Sequence, residues 1–465
     1  MRRALRAVVV AVTALASAAC GAGTAGNPAA SGATGTQALA TSASATGTGP
    51  AATGAATASQ ASPTGPVSTT QVPPPAGLTC AGLPSTASAY GQAPGTRSPL
   101  GAIQFVSPRQ GWVAGDGRIL GTSDGGQSWI LQYRGPANLD ELDFIDSEHG
   151  WAVGEDTLLA TADGGQTWAP LTDPCRAVRS VHFVSAALGF AVFGGTTVSL
   201  EGGYPAAGDD GRLLRTDDGG RTWQVVPTAP ASAQTACFSD PGDGFLATPG
   251  RVWRTTDGGL AWTATLHEPG PAEIAGAGPP VGSSQAASAG AASATVVECA
   301  GRSGAWADVI SVGAALSHKG YIAYSTQDGR DWHALFAELY TESARFPGGI
   351  AQGPGSYPGP FSAISPDSAA FVGWTPPVGY GAATLDVITG GSVTGNSAAG
   401  NSAVSDRGTV GGLTDPFGAA FLSTTRGWVT GEDQTQPGRW GDAVIEVTAD
   451  GGRTWTRQYQ VPWQA

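Results

Sequence analysis

The sequence predicts an all-β protein, a single β-propeller of four-stranded antiparallel blades. An eight-residue stretch, Thr448–Trp455, recurs at 122–129, 161–168, 216–223 and 255–262. A Gly-aromatic pair such as Gly111-Trp112 precedes each of these five copies. Trp129 and Trp168 at the ends of two copies are 39 residues apart. A period near 40 residues with several short strands per repeat is typical of propeller blades.

Each copy of the stretch is interpreted as a tight turn with an aromatic anchor. Its Asp is expected to accept hydrogen bonds from the backbone N–H groups that follow it. The two glycines tolerate a positive φ, and the terminal Trp buries an apolar face where the next strand starts. A sixth copy at 326–332 is one residue short. The Asp and Trp residues of the six turns are Asp124, Trp129, Asp163, Trp168, Asp218, Trp223, Asp257, Trp262, Asp328, Trp332, Asp450 and Trp455.

The repeat resembles the Asp-box, or BNR, repeat. An aliphatic strand, a Gly-Trp pair and Asp-Gly-Gly-x-Thr-Trp follow each other as in the propellers grouped with photosystem II stability/assembly factors. The resemblance covers about residues 100–461. It implies a protein that binds partner polypeptides without catalysis, and nothing in the sequence indicates photosynthesis itself.

Each repeat is interpreted as four strands, A to D, with strand B opening at the Gly-aromatic pair and strand D starting at the box Trp. Seven blades are predicted, and six is the alternative because the sixth has no Asp-box. Its strands are expected at Phe361–Pro366, 370–372 and 383–388, followed by a loop near 392–414. The blades are placed at 101–134, 139–172, 179–227, 234–267, 295–336, 361–388 and 417–461.

Residues 1–20 are predicted to be a signal peptide, with arginines before an apolar run at 7–16. Ser17-Ala18-Ala19-Cys20 resembles a bacterial lipobox with Ser17 where Leu is usual, so Cys20 is the expected lipidation site. Ordinary signal-peptidase cleavage is the alternative. Residues 21–77 are rich in Ala, Gly, Ser and Thr and predict a disordered, flexible tether. The propeller domain then spans 78–465, outside the cytoplasm, anchored to the outer leaflet as a lipoprotein or secreted.

Four further cysteines, Cys80, Cys175, Cys237 and Cys299, suggest two disulfides in an exported protein. Three pairings are possible. Cys237–Cys299 is preferred because both residues fall in predicted strand A of consecutive blades, which leaves Cys80–Cys175. The chain has no CxxC motif and its five histidines are scattered, so no metal and no cofactor are expected.

The partner class follows from charge and from loop lengths. A formal net charge of −13 disfavours nucleic-acid binding. In a propeller the A–B and C–D turns share one face and the B–C and D–A loops share the other, and the insertions fall on the B–C/D–A face. Loops on a rigid scaffold often carry function. The candidates there are Glu155, Asp156, Tyr204, Asp209, Asp210, Tyr340, Tyr380, Glu432, Asp433 and Trp440, with solvated turn residues as the alternative interpretation.

Two classes of function remain at this point. The first is a non-catalytic, membrane-tethered binding or assembly scaffold, monomeric, that engages a protein partner in the cell envelope. The second is a carbohydrate-binding propeller or a glycoside hydrolase, because Asp-boxes also occur in sialidases and in two-propeller xyloglucan-cleaving enzymes. The sialidase Phe/Tyr-Arg-Ile-Pro motif is absent, and Arg345-Phe346-Pro347 does not replace it. Glu338 and Glu342 are the nearest approach to a carboxylate pair. No catalytic residue is assigned.

Overall fold

Seven four-stranded antiparallel sheets surround a central axis in a computed structural model of the chain. This confirms the all-β propeller and its seven blades. The structure describes residues 100–194, 198–199, 205–206, 211–267, 292–311, 320–338, 351–355, 357–374, 381–390, 403–433 and 441–462. These residues all lie in one compact unit, Thr70–Ala465.

The strands follow the predicted order A to D in every blade. Blade 1 contains β1 (Leu100–Phe105), β2 (Gly111–Gly115), β3 (Arg118–Thr122) and β4 (Ile130–Arg134), and blade 2 contains β5 (Glu141–Phe144), β6 (Gly150–Gly154), β7 (Thr157–Thr161) and β8 (Ala169–Leu171). Blade 3 contains β9 (Val178–Phe183), β10 (Gly189–Phe193), β13 (Arg212–Thr216) and β14 (Gln224–Val225), with the hairpin β11 (Val198–Ser199) and β12 (Pro205–Ala206) inserted between β10 and β13. Blade 4 contains β15 (Thr235–Phe238), β16 (Gly244–Thr248), β17 (Arg251–Thr255) and β18 (Thr263–His267).

The last three blades have longer strands. Blade 5 contains β19 (Ala292–Ala300), β20 (Gly304–Ser311), β21 (Tyr321–Thr326) and β22 (His333–Glu338), with β23 (Ala351–Gln352) added as a fifth strand parallel to β22. Blade 6 contains β24 (Tyr357–Ser365), β25 (Ser368–Trp374), β26 (Ala383–Thr389) and β27 (Ala403–Thr409). Blade 7 contains β28 (Asp415–Phe421), β29 (Gly427–Asp433), β30 (Asp442–Thr448) and β31 (Thr456–Val461). A short 3-10 turn, Pro174–Arg176, is the helical element of the described ranges.

Two details of the prediction are wrong. Strand D starts one residue after the box Trp, as at Ile130 after Trp129. The fourth strand of blade 6, β27, lies inside the segment 392–414 that was expected to be a loop, and it pairs with β26.

The core lies in the seams, the contacts between consecutive blades. The strand B segments β2, β6, β10 and β16 are buried at every residue, because each sheet is covered on both faces. The outer strands are more exposed; β4 and β8 contain no fully buried residue. The ring closes where β1 contacts β28 and β29 of blade 7. All four strands of blade 7 come from 415–461, so closure occurs by packing of side chains and not within a shared sheet.

Candidate binding faces

The Asp-box turn is built on its Thr as much as on its Asp. In blade 2 the Thr161 hydroxyl donates to Asp163 Oδ1 (2.8 Å) and accepts the Gly165 N–H (2.9 Å). Asp163 then accepts the backbone N–H of Thr167 at Oδ1 (2.9 Å) and the Thr167 hydroxyl at Oδ2 (2.6 Å). The same bonds recur in blades 1, 3 and 7. The Asp therefore spans the turn to the fourth residue after it, and the box Thr is a structural residue that the sequence analysis missed.

The box carboxylates are committed to these hydrogen bonds. The side-chain and backbone bonds from Ser128, with that from Thr122, lower the pKa of Asp124 to about 2. Bonds from Thr454 lower the pKa of Asp450 to about 2 in the same way. These groups are ionised at neutral pH, and each already has hydrogen-bond donors within its own turn. The box carboxylates consequently stabilise the turns of the fold.

Each box also fastens the adjacent A–B turn. The Gly164 N–H donates to the Glu148 carbonyl at 2.9 Å, and equivalent bonds join the other intact boxes to their A–B turns. Gly164 and Gly165 have φ of 70° and 85°, a left-handed backbone that favours glycine. The boxes and the A–B turns therefore share one face, called here the Asp-box face, as the strand order requires.

Flat aromatic stacks cross four of the seams. The strand B aromatic of one blade lies on the strand A Phe of the next: Trp112 on Phe144 at 3.5 Å, Trp151 on Phe183, Phe190 on Phe238, and Trp428 on Phe105 at the closing seam. The box Trp approaches the same Phe edge-on, as Trp168 does to Phe144 at 5.8 Å. The Gly-Trp pair and the box Trp thus hold consecutive blades together.

Strand A carries a second set of links between blades. The strand A residue opposite the strand B aromatic, or opposite Ala370 in blade 6, bonds to the backbone of the next strand A in most seams. These links are Gln104 to Phe144, Asp143 to Phe183, His182 to Phe238, Glu298 to Ala363 and Ser362 to Phe421. Cys237 occupies the same register in blade 4 and is joined to Cys299 by a disulfide. The preferred pairing is therefore present, as one of these links. Cys80 lies outside the described residues, as does the side chain of Cys175.

The predicted candidates of blade 2 are engaged within the chain. Glu155 Oε2 accepts the Asn138 N–H at 3.0 Å, and Asn138 Oδ1 accepts the Asp116 N–H at 2.8 Å. Asp156 forms an ion pair with Arg176 at 2.7 Å. These contacts fix the B–C turns of blades 1 and 2 against the D–A segments that follow these blades.

Glu432 and Asp433 lie in blade 7, apart from the blade 2 group. Arg457 bridges Asp433 (2.7 Å) and Glu446 (2.8 Å). Glu432 is 4% exposed; burial, with the charge of Asp415, raises its pKa to about 7 against the effect of the Gly441 N–H bond. The structure therefore places the described candidates in two separate acidic groups. Tyr204, Asp209, Asp210, Tyr340, Tyr380 and Trp440 lie outside the described residues.

Several buried carboxyl groups were not found from the sequence. Burial, with the negative charge of Glu155, raises the pKa of Asp140 to about 7. Burial, with the charge of Asp406, does the same for Asp386. Asp308 is 2% exposed and burial raises its pKa well above the usual range. No group of three or more His, Cys, Asp or Glu side chains within the described ranges is arranged to hold a metal ion.

A groove of about 890 Å³ lies on the Asp-box face between blades 1 and 2. One wall is β4 with Ile130, Leu131 and Gln132, and the other is the box of blade 2 with Asp163 and its A–B turn with Glu148. Gln132 and Trp112 both donate to the Gly164 carbonyl beneath it, at 3.0 and 3.1 Å. This groove lies on the face opposite the predicted one.

Comparison with known proteins supports the predicted resemblance. The family model of the photosynthesis system II assembly factor YCF48 matches residues 133–313. This confirms a BNR-type propeller that resembles those assembly factors, and with the fold it supports a non-catalytic scaffold. A search of curated proteins found no match. The part of the chain that the structure describes contains no helix of the length and apolar character needed to span a bilayer.

Several solved structures are similar to this chain at low sequence identity. YCF48 from Cyanidioschyzon merolae matches with 17% identity and a TM-score of 0.33, over 79% of this chain and 86% of that one. An ancestral GH74 enzyme matches with 13% identity and a TM-score of 0.46, over 78% of this chain and 56% of that one. The RRP9 WD40 repeats match with 10% identity and a TM-score of 0.48, over 77% and 96%. Similarities at this level concern the fold alone.

Proposed function

We propose that this chain is a non-catalytic assembly scaffold outside the cytoplasmic membrane, which engages another polypeptide through its B–C/D–A face. The observation that carries the proposal is the assembly-factor family match over 133–313. The box residues add to it, because their polar groups are committed to turns and seams. A rigid ring with variable loops on one face is suited to holding a partner.

Charge favours a basic partner surface. The chain carries a formal net charge of −13. Glu155 and Asp156 of blade 2 place carboxylates on the B–C/D–A face, where Arg176 pairs with Asp156. Complementary charge accelerates encounter and selects against acidic partners. The interaction should therefore weaken as salt is raised.

Membrane attachment through Cys20 is part of the proposal. Two acyl chains on one cysteine would give stable anchoring, and residues 21–77 would separate the propeller from the bilayer. Replacing Cys20 by Ser should move the protein from the membrane fraction to the soluble fraction of lysed cells. Retention of the C20S protein in the membrane fraction would contradict lipid anchoring at this residue.

Cross-linking with mass spectrometry on intact cells tests the scaffold function. Carboxyl-reactive reagents suit this chain because Lys319 is its only lysine. We expect reproducible cross-links from one protein to the B–C/D–A face, including Glu155, and none to Asp217, an exposed acid of the Asp-box of blade 3 that serves as the control. Cross-links spread evenly over both faces, or the absence of a protein partner, would contradict the proposal and turn attention to glycan binding.

A further inference from the structure

The outer strand of a propeller blade has an unpaired edge, which natural proteins usually protect. In this chain β8 has three residues and includes Pro170, and β14 has two and is followed by Pro227. The edge of β22 is covered by β23. These edges offer little room for another strand.

The other outer strands, β4, β18, β27 and β31, have five to seven residues and end their sheets. Strand β4 differs from the other three in its exposed side chains. It has five residues, ends its sheet, and begins with two adjacent aliphatic side chains in solvent: Ile130 is 65% exposed and Leu131 47%. Among the described residues the other large exposed hydrophobic side chain is Leu260, in the box of blade 4. Successive residues of a strand point to opposite faces, so Ile130 and Leu131 place one exposed aliphatic side chain on each face of this edge, and an uncovered edge of this kind can pair with another strand.

The groove beside β4 shows which charges a strand bound at this edge would meet. Its lining includes the acids Glu148 and Asp163 and contains no Lys or Arg. Asp163 is held ionised, since bonds from Thr167 lower its pKa. Arg134 lies at the far end of β4. A strand laid along β4 would therefore meet negative charge at the Ile130 end and positive charge at the Arg134 end.

Blade 5 shows that an outer strand of this ring accepts a further strand. Residues Ala351 and Gln352 pair in parallel with Phe336 and Ala337 at the outer edge of that sheet. The added strand belongs to the same chain, and it uses main-chain pairing that does not depend on side-chain identity. Within the ranges that the structure describes, no strand pairs with the outer edge of β4.

We propose that β4 binds an extended segment of a partner polypeptide as a fifth strand of blade 1. Aliphatic side chains of the segment cover Ile130 and Leu131, and a Lys or Arg at one end lies beside Glu148. The inference rests on the proposed function in that the scaffold has a polypeptide partner. Its site is on the Asp-box face, separate from the B–C/D–A loops, so the two contacts can be tested apart.

Selection from a random decapeptide display library against the chain from Gly21 to Ala465 tests the proposal. We expect the selected peptides to share two adjacent aliphatic residues, one for each face of the added strand, and one basic residue near an end. The Ile130→Asp/Leu131→Asp double variant should lower their affinity by at least about tenfold. Leu260→Asp, which charges an equally exposed aliphatic site on blade 4, should leave the affinity within about twofold.

A charge exchange separates strand addition from unspecific apolar adhesion. Glu148 is exposed, so Glu148→Lys should retain the fold and shift selection from basic to acidic peptides. If Ile130→Asp/Leu131→Asp lowers the melting temperature, Ile130→Asp alone replaces it. Failure to select peptides, or peptides indifferent to the β4 variants, would overturn the proposal. So would a wild-type dimer that these variants convert to a monomer, since a second copy would then be the occupant. In each case, cross-links in cells to the B–C/D–A face would still test the proposed function separately.

Discussion

Replacing Gly150 by Ala should insert a methyl group into the aromatic stack between blades 1 and 2. Gly150 opens β6, and a Cβ built on it would lie 2.4 Å from Cδ1 and Cε1 of Phe144. The Phe144 ring cannot retreat, because Trp112 stacks on it at 3.5 Å and Trp168 packs at its edge. The same clash recurs at the other Gly-aromatic pairs, which explains why the pair begins with glycine.

The expected change in the free energy of unfolding combines two opposing effects. Overpacking a filled core costs about 1–3 kcal/mol of the free energy of unfolding. An Ala in place of Gly within a strand otherwise gains about 0.5–1 kcal/mol. In a Phe144→Ala background the clash is absent, so Gly150→Ala should there be neutral or stabilising. The Gly-to-Ala gain is common to both backgrounds and cancels, so the coupling free energy between the two sites should equal the overpacking cost of about 1–3 kcal/mol.

Urea denaturation followed by tryptophan fluorescence measures the four proteins of this cycle. A common slope of the transition would show that the midpoints report stability. The reasoning is refuted if Gly150→Ala leaves the wild-type midpoint unchanged, or if it destabilises the Phe144→Ala protein by the same amount. The second result would mean that the loss of stability arises from the backbone at Gly150 and not from the aromatic stack.

Three further predictions concern the links within and between blades. Replacing Cys237 and Cys299 by Ser should cost up to about 4 kcal/mol, because the bond closes a loop of 62 residues; reductant should lower the urea midpoint of the wild type to that of the variant and leave the variant unchanged. Thr161→Val should lower the free energy of unfolding by about 1–3 kcal/mol, measured by thermal unfolding, because the Gly165 N–H loses its acceptor. Thr167→Val, at an exposed position, should lower it by less than about 1 kcal/mol. Equal losses would contradict the role given to the box Thr. Glu432 has a folded pKa of about 7, raised above the ordinary 4.5, so its contribution is complete below pH 4.5 and is lost as pH rises to 7. Glu432→Gln should therefore gain up to about 3 kcal/mol relative to wild type across that interval, and a constant difference from pH 4.5 to 8 would disprove the titration.

The fold was predictable because the residues of each Asp-box specify their turn locally. Thr, Asp and two glycines within five residues specify the hydrogen bonds, so each box locates the end of strand C and the start of strand D. Blade 6 has no box, and the sequence consequently predicts a loop where β27 lies, at Ala403–Thr409. Strand pairing without a marker turn depends on register across the sheet, which the sequence does not reveal.

The candidate site was harder to predict from the sequence, because the residues that its side chains contact come from distant segments of the chain. Glu155 was placed in the correct turn, but its bond to Asn138 depends on the path of a D–A segment. The groove beside β4 needs two blades side by side. One signal was available: Ile130 and Leu131 follow the box Trp, whereas Ala169-Pro170 and Thr456-Arg457 stand there in blades 2 and 7.

The closing seam between blades 7 and 1 should be the first to open. Six seams are linked at one register of strand A by a hydrogen bond or by the disulfide, but blade 7 has Ala420 there, opposite Trp428. The ring closes instead through Phe105 stacked on Trp428 at 3.6 Å and through Gln458, which donates to the Gly125 carbonyl at 3.0 Å.

Blades 7 and 1 are not consecutive along the chain, so among the described residues no connecting loop has to rearrange when this seam opens. Local opening then exposes backbone amides to exchange at a free energy below that of global unfolding. In hydrogen-exchange mass spectrometry, β1 and β28 should exchange ahead of β15 and β19, the strands joined by the disulfide. Slower exchange in β1 and β28 would mean that the aromatic stack closes the ring more firmly than a covalent bond, and the ranking of the seams would have to be reversed.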